Sequence, residues 1–215
     1  MASVTGCKGL PQLGETLLKL DEIEMNFDVK HFYAKEKRTL SEIDEKTGFR
    51  VVENDTLYED REKTKVIGVQ YNMGGWNRGE KLAVLGNTYY NPIDMMTDEN
   101  GTFMALCSVY QPEPQSSDKE MYDSVIQYLS EKYGNPELCK RKIPFLEGQL
   151  IRNYATWSLN DKTITVLFMS GDVEYGEKPH SAMAVFIMNN EYKDILLKSN
   201  LSIGHWIWID EINQR

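Results

Sequence analysis

Three histidines and three cysteines are the residues of this 215-residue chain best suited to hold a metal ion or start a nucleophilic attack. Zinc sites draw their ligands from closely spaced sets, because neighbouring side chains must converge on one ion. His31, His180 and His205 each stand alone, and none is followed two, three or four residues on by a second ligand. Cys7, Cys107 and Cys139 are an odd number at wide spacing, from which neither a disulfide framework nor a CxxC pair can be built. Cys107 lies in an apolar run and reads as a small core residue. A thiol–imidazole pair of Cys139 and His180 has no local support. No G-x-S-x-G elbow, phosphate-binding G-x-x-x-x-G-K-[ST] loop or G-x-G-x-x-G turn occurs. Asp94, Asp98 and Glu99 form one acidic cluster, and Asp172, Glu174 and Glu177 another. Paired carboxylates serve acid–base hydrolysis, but 33 acidic residues produce such clusters by chance. The alternating oxygen ligands of a calcium loop are missing. Neither a metal nor a cofactor is expected, and no catalytic residue is assigned.

Two stretches point instead to binding and location. Tyr71 to Gly79 carries adjacent glycines followed by Trp76, Asn77 and Arg78. Glycines permit positive φ, and Trp and Arg dominate interface hot spots. A Trp folded back over the core is the favoured reading of this stretch; if it is functional, it is a recognition loop. Val4-Thr5-Gly6-Cys7 matches the end of a bacterial lipoprotein signal, which would make Cys7 the lipidated residue. The basic and apolar regions of such a signal do not precede it in this sequence. The expectation is therefore a cytoplasmic protein as the sequence stands, or a lipid-anchored envelope protein if an upstream segment is missing. No run of about 18–20 apolar residues suggests a membrane-spanning helix.

Charge narrows the partners. A formal net charge of −9 argues against a nucleic-acid footprint and favours a basic protein partner. The short basic clusters at Lys35–Arg38 and Lys140–Lys142 read as solvated surface.

These residues must be positioned by a strand-rich framework. Leu13, Leu17, Leu18 and Leu20 suggest a first helix over Leu10–Glu24, and Met25, Phe27, Val29, His31 and Tyr33 alternate as one face of a strand. Strands are expected at Phe49–Glu53, Lys65–Met73, Lys81–Leu85 and Thr102–Tyr110, with a charged loop or frayed hairpin at Asn54–Lys63 and turns at Asn91-Pro92 and Asn100-Gly101. The proline-rich residues 111–117 read as a linker. A helix follows, with Ser117 and Glu120 as its capping box and Met121, Val125, Leu129 and Tyr133 as its stripe, ending at Gly134. Tyr154–Leu159 and Thr163–Met169 form a hairpin about Asn160-Asp-Lys. A long loop with Gly171, Gly176 and Pro179 precedes a strand at Ser181–Asn189, a short helix at Glu191–Lys198 and a last strand at Ile203–Asp210.

Lys132-Tyr133-Gly134-Asn135-Pro136 closing a helix, then a strand bearing Trp157 and its partner Thr163–Met169, resembles small bacterial cell-envelope proteins. These include uncharacterised lipoproteins and immunity-type proteins that neutralise secreted toxins. The resemblance covers residues 118–169 and implies no catalytic residue. The expected fold is α+β, a mainly antiparallel, strand-rich sheet or sheets with two to three helices on one side. It forms one domain over 1–215, with a division near 111–117 as the alternative. The expected function is non-enzymatic binding, as an immunity-type inhibitor. A lipid-anchored structural or small-ligand-binding protein comes second, and a hydrolase using loop carboxylates third.

Overall fold

The computed structural model describes residues 10–35, 51–60, 62–74, 80–110, 118–145, 148–175 and 178–198. Its elements are β1 (Leu18–Lys19), α1 (Val29–Phe32), β2 (Val51–Tyr58), β3 (Val66–Gly74), β4 (Ala83–Leu85), β5 (Thr88–Asp98), β6 (Phe103–Tyr110), α2 (Asp118–Tyr133), β7 (Glu137–Phe145), β8 (Gly148–Ser158), β9 (Lys162–Tyr175), β10 (Lys178–Asn189) and α3 (Lys193–Lys198). The ten strands form one mixed, mostly antiparallel sheet, so the architecture is α+β and dominated by strand. Four strands on either side of residues 111–117 make a meander: β2-β3-β5-β6 and β10-β9-β8-β7. The two meanders meet where β6 pairs antiparallel with β10, from Ala184 opposite Val109 to Met188 opposite Ala105. Short β4 adds to the outer edge of β5, and β1 pairs with it in parallel.

Alternation of side chains divides the core between the two faces. On β10, Met183, Val185 and Ile187 join the larger cluster, together with Val29 and Phe32 of α1 and Tyr122, Val125 and Leu129 of α2. Ala184, Phe186 and Met188 join the cluster on the opposite face, with Leu196 of α3. Packing of helices on one side therefore holds for α1 and α2, whereas α3 lies against the other face because Tyr192, Ile195 and Leu196 direct their apolar surface there.

The segment before α1 is tied down through buried charge. Asp21 is buried and accepts hydrogen bonds from Tyr128 Oη and Lys132 Nζ of α2, both at 2.6 Å. Buried Lys162 of β9 donates to the carbonyls of Asp21 and Ile23 at 3.1 and 2.7 Å. Burial alone would raise the Asp21 carboxyl, but the bonds from Lys132 and Tyr128 and the Lys132 charge outweigh it and hold it below the usual range. Burial lowers the Lys162 ammonium against the opposing pull of Asp161 and Asp21.

Several local expectations change. The first helix is replaced by β1 and a 3-10 turn at Leu20–Glu22, and Gly14 takes a φ of +76° that interrupts a helix. The expected strand around Val29 is α1 instead, because Asp28 caps it by accepting the His31 N–H at 2.9 Å and Val29, Phe32 and Tyr33 bury together. β2 runs on to Tyr58 and pairs antiparallel with β3, so of the two readings of Asn54–Lys63 the hairpin holds and the loop does not. β9 and β10 continue through Gly171 and Pro179, where a long loop was expected. Asn91-Pro92, read as a turn, lies inside β5 with a cis peptide. The capping residue Ser117 and the strand at Ile203–Asp210 lie outside the described residues.

The antiparallel order also sorts the connections. Turns at 59–65, 99–102 and 159–161 share one end of the sheet, and Asx side chains pin them. Asp98 accepts from the backbone of Asn100 and Thr102 at 2.9 and 2.8 Å, and Asn190 Nδ2 donates to the Leu159 carbonyl at 2.8 Å. At the other end, here the exit end, the chain leaves the described strands at Gly74, Tyr110, Phe145 and Tyr175.

Candidate recognition site

The stretch bearing Trp76, Asn77 and Arg78 lies outside the described residues, as does Cys7. What the structure defines is the base from which the 75–79 stretch departs. The β3–β5 ladder reaches Tyr71 opposite Met95, and the β4–β5 ladder begins at Ala83 opposite Tyr90. Between them β5 residues 91–94 face a gap, with Met73 at one side of it and Glu80 at the other. Two buried polar side chains of β5 hold the two sides of that gap. Asp94 Oδ1 accepts the Met73 N–H at 2.8 Å, and Asn91 Nδ2 donates to the Glu80 carbonyl at 3.1 Å. These bonds take the place of ladder pairs that the strand split removes. Pro92 fits here because β5 faces this gap on one side and its ladder with β6 shifts register between Tyr90 and Ile93 on the other.

Packing stiffens the same stretch of β5 from the helix side. Tyr33 Oη donates to the Ile93 carbonyl at 2.7 Å, and its ring stacks on Tyr71 at 5.4 Å and 12°. Ser108 Oγ donates to the Pro92 carbonyl at 2.6 Å. Just past the gap, Lys81 Nζ stands 3.9 Å from the centre of the Tyr89 ring, within cation–π range. Tyr90 is fully buried, and burial raises its hydroxyl far above the usual range, so it stays neutral at any physiological pH. Cys107, opposite Asp94 on β6, is also buried; desolvation first and the Asp94 charge second push its thiol well up. A thiol held neutral is a poor nucleophile.

The remaining candidates are dispersed. His31 is on α1, His180 is in β10, and His205 lies outside the described residues. Cys139, expected after a helix end, lies in β7, and Cys107 and Cys139 are both free. Asp94 and Asp98, expected in a loop, belong to β5 and bind backbone amides. Among the described residues no group of three His, Cys, Asp or Glu side chains converges on a metal position, and no helix is long and apolar enough to cross a membrane. The Tyr-Gly-x-Pro stretch and the tryptophan strand behind the sequence resemblance are joined directly: Gly134 caps α2 at φ +84°, and Trp157 Nε1 donates to its carbonyl at 2.8 Å. The clamp residues Asp94 and Asn91 escaped sequence reasoning. A carboxylate inside Ile93-Asp94-Met95-Met96 was the signal that could have found one of them.

No family model, no curated protein and no solved structure matches the chain.

Proposed function

We propose that the protein works by binding another protein, with residues 75–79 as a recognition element presented from the exit end of the sheet. The observation that carries this reading is the paired clamp: Asp94 and Asn91 fix the backbone at Met73 and Glu80, on either side of a Gly-Gly-Trp-Asn-Arg-Gly stretch. A fixed base lowers the entropy lost when such a segment engages a partner. The net charge of −9 favours a basic partner, and the resemblance over residues 118–169 suggests an immunity-type inhibitor of a secreted toxin.

Affinity capture from the native host at physiological salt tests this. One basic protein should be recovered by the wild type and lost from Trp76→Ala and Arg78→Ala, each weakening binding by at least about 2 kcal/mol, roughly 30-fold, as hot-spot truncations do. Melting temperatures should not change. Equal recovery by both variants, or nothing specific with the wild type, refutes the proposal.

A further inference from the structure

Two of the outer strands of the sheet, β2 and β7, carry opposite charge. β7 opens on exposed Glu137 and then holds Lys140, Arg141 and Lys142, with Lys140 and Lys142 exposed. β2 holds Glu53 and Asp55, and Glu59 and Asp60 follow it. Among the described residues no strand lies beyond either of them. Edge strands leave unpaired backbone groups, and charges on them discourage pairing of like with like. Lysines on both strands would do only that. Opposite signs on the two edges of one sheet do something further.

From these edges the geometry points to head-to-tail self-association, with β7 of one copy pairing antiparallel to β2 of the next. Direction and length permit it. β2 starts at the exit end and β7 finishes there, so translating a copy along the sheet sets the two strands antiparallel with their faces in common. They are eight and nine residues long. β7 pairs with β8 without interruption, and at the β2–β3 irregularity the extra residue, Ile67, is on β3. Facing is settled by the inner ladders. Asp55 lies opposite Gln70, which is opposite Met96 of the α3-side cluster, and Arg141 lies opposite Arg152 and Met169 of that same face.

Placing Arg141 opposite Asp55 then puts Cys139 opposite Leu57 and Leu138 opposite Tyr58, and brings Glu137 to Glu59 just past β2, whose carboxylate Lys65 Nζ already meets at 2.7 Å. Leu138 is 70% exposed and gains an apolar neighbour. Asp55 already accepts from Asn72 Nδ2 at 2.8 Å, and its carboxylate keeps acceptor capacity for a guanidinium. Symmetric pairing centred on the charged stretches is disfavoured. β7 against β7 sets Lys140 opposite Lys142, and β2 against β2 sets Glu53 opposite Asp55; like charges directly opposite destabilise a sheet. The favoured contact is heterologous and leaves a free edge at each end.

Sedimentation velocity over a concentration series tests this. Wild-type protein should grow beyond the dimer as concentration rises. Arg141→Glu and Asp55→Lys should each remain monomeric, with far-UV circular dichroism unchanged. Asp55→Asn, whose amide oxygen can keep the Asn72 bond, replaces Asp55→Lys as the single variant if the latter disturbs the fold. An equimolar mixture of Arg141→Glu and Asp55→Lys should grow beyond the dimer again, because the native edges pair as before and the two reversed edges complement each other at the same register. A wild type that stays monomeric throughout, a variant that still assembles alone, or a mixture of the reversed variants that fails to grow overturns the proposal.

Discussion

Replacing Asp21 by asparagine keeps the shape of the side chain and removes only its charge. The carboxylate accepts two hydrogen bonds, from Tyr128 Oη and Lys132 Nζ at 2.6 Å. Hydrogen bonds to a charged group contribute about 1.5–3 kcal/mol against about 1 for neutral pairs. The Lys132 side chain is 40% exposed, so solvent screens its share and the lower end applies. Both donors reach the same oxygen, Oδ2, so the amide oxygen placed there can accept both bonds without the charge. The expected loss is about 1 kcal/mol, or about 2–4 °C in Tm for a chain of this size. Urea titration at neutral pH measures the difference directly. The pH dependence separates charge from shape. The folded Asp21 carboxyl titrates below its unfolded value of 3.8, so its contribution is complete above that pH and is lost as pH falls through the folded value. Wild type and Asp21→Asn should therefore differ by a constant amount above about pH 5 and converge below about pH 4. A difference below about 0.5 kcal/mol at pH 7, or one that persists undiminished into acid, refutes the reasoning.

Three further outcomes are expected. Gly68→Ala would bring its Cβ to 1.9 Å from the Thr97 carbonyl oxygen, so the β3–β5 ladder must open; a loss of roughly 3 kcal/mol or more should appear in urea titration. Trp157→Phe removes the indole N–H from the Gly134 carbonyl and should cost about 1 kcal/mol, read by thermal melting, with α2 fraying at its C-terminal turn. Cys107 should resist maleimide labelling in the native protein and react at the rate of global unfolding, while half-buried Cys139 labels readily; mass spectrometry of peptides from a time course distinguishes the two.

The parts of the fold that sequence made legible are those where one period dominates. The Tyr122–Tyr133 turns of α2 and its glycine stop, the β9 and β10 core residues, and β6 all follow from patterning that tertiary contacts do not contradict. The failures share a cause. Val29, Phe32 and Tyr33 bury together on one helical turn, yet Val29 and Tyr33 also fit a two-residue alternation, so period alone chose wrongly. β7 was missed because an outer strand with Lys140, Arg141 and Lys142 need not be apolar. β5 was missed because Asn91-Pro92 signals a turn, and it takes the gap between β3 and β4 together with the register shift against β6 to make a strand proline harmless. At the candidate site, the loop composition was visible, but its clamps were not. Asp94 and Asn91 act on backbone atoms of a segment about twenty and eleven residues away, and backbone partners leave no mark in a sequence.

The ladder between β6 and β10 brings together Val109 with Ala184, Cys107 with Phe186, Leu106 with Ile187 and Ala105 with Met188, all uncharged. The sheet thus keeps its stickiest strand edges at its centre, where the 111–117 connection holds the two meanders at an effective concentration on the order of millimolar. Cutting the chain within that connection would turn folding into a bimolecular reaction. Each fragment would carry one four-stranded meander and one bare apolar edge, and the pair would reassemble by complementation, with Asp21 and Lys162 setting the alignment. A molecule built this way depends on its linker less for shape than for keeping each half from finding the wrong partner.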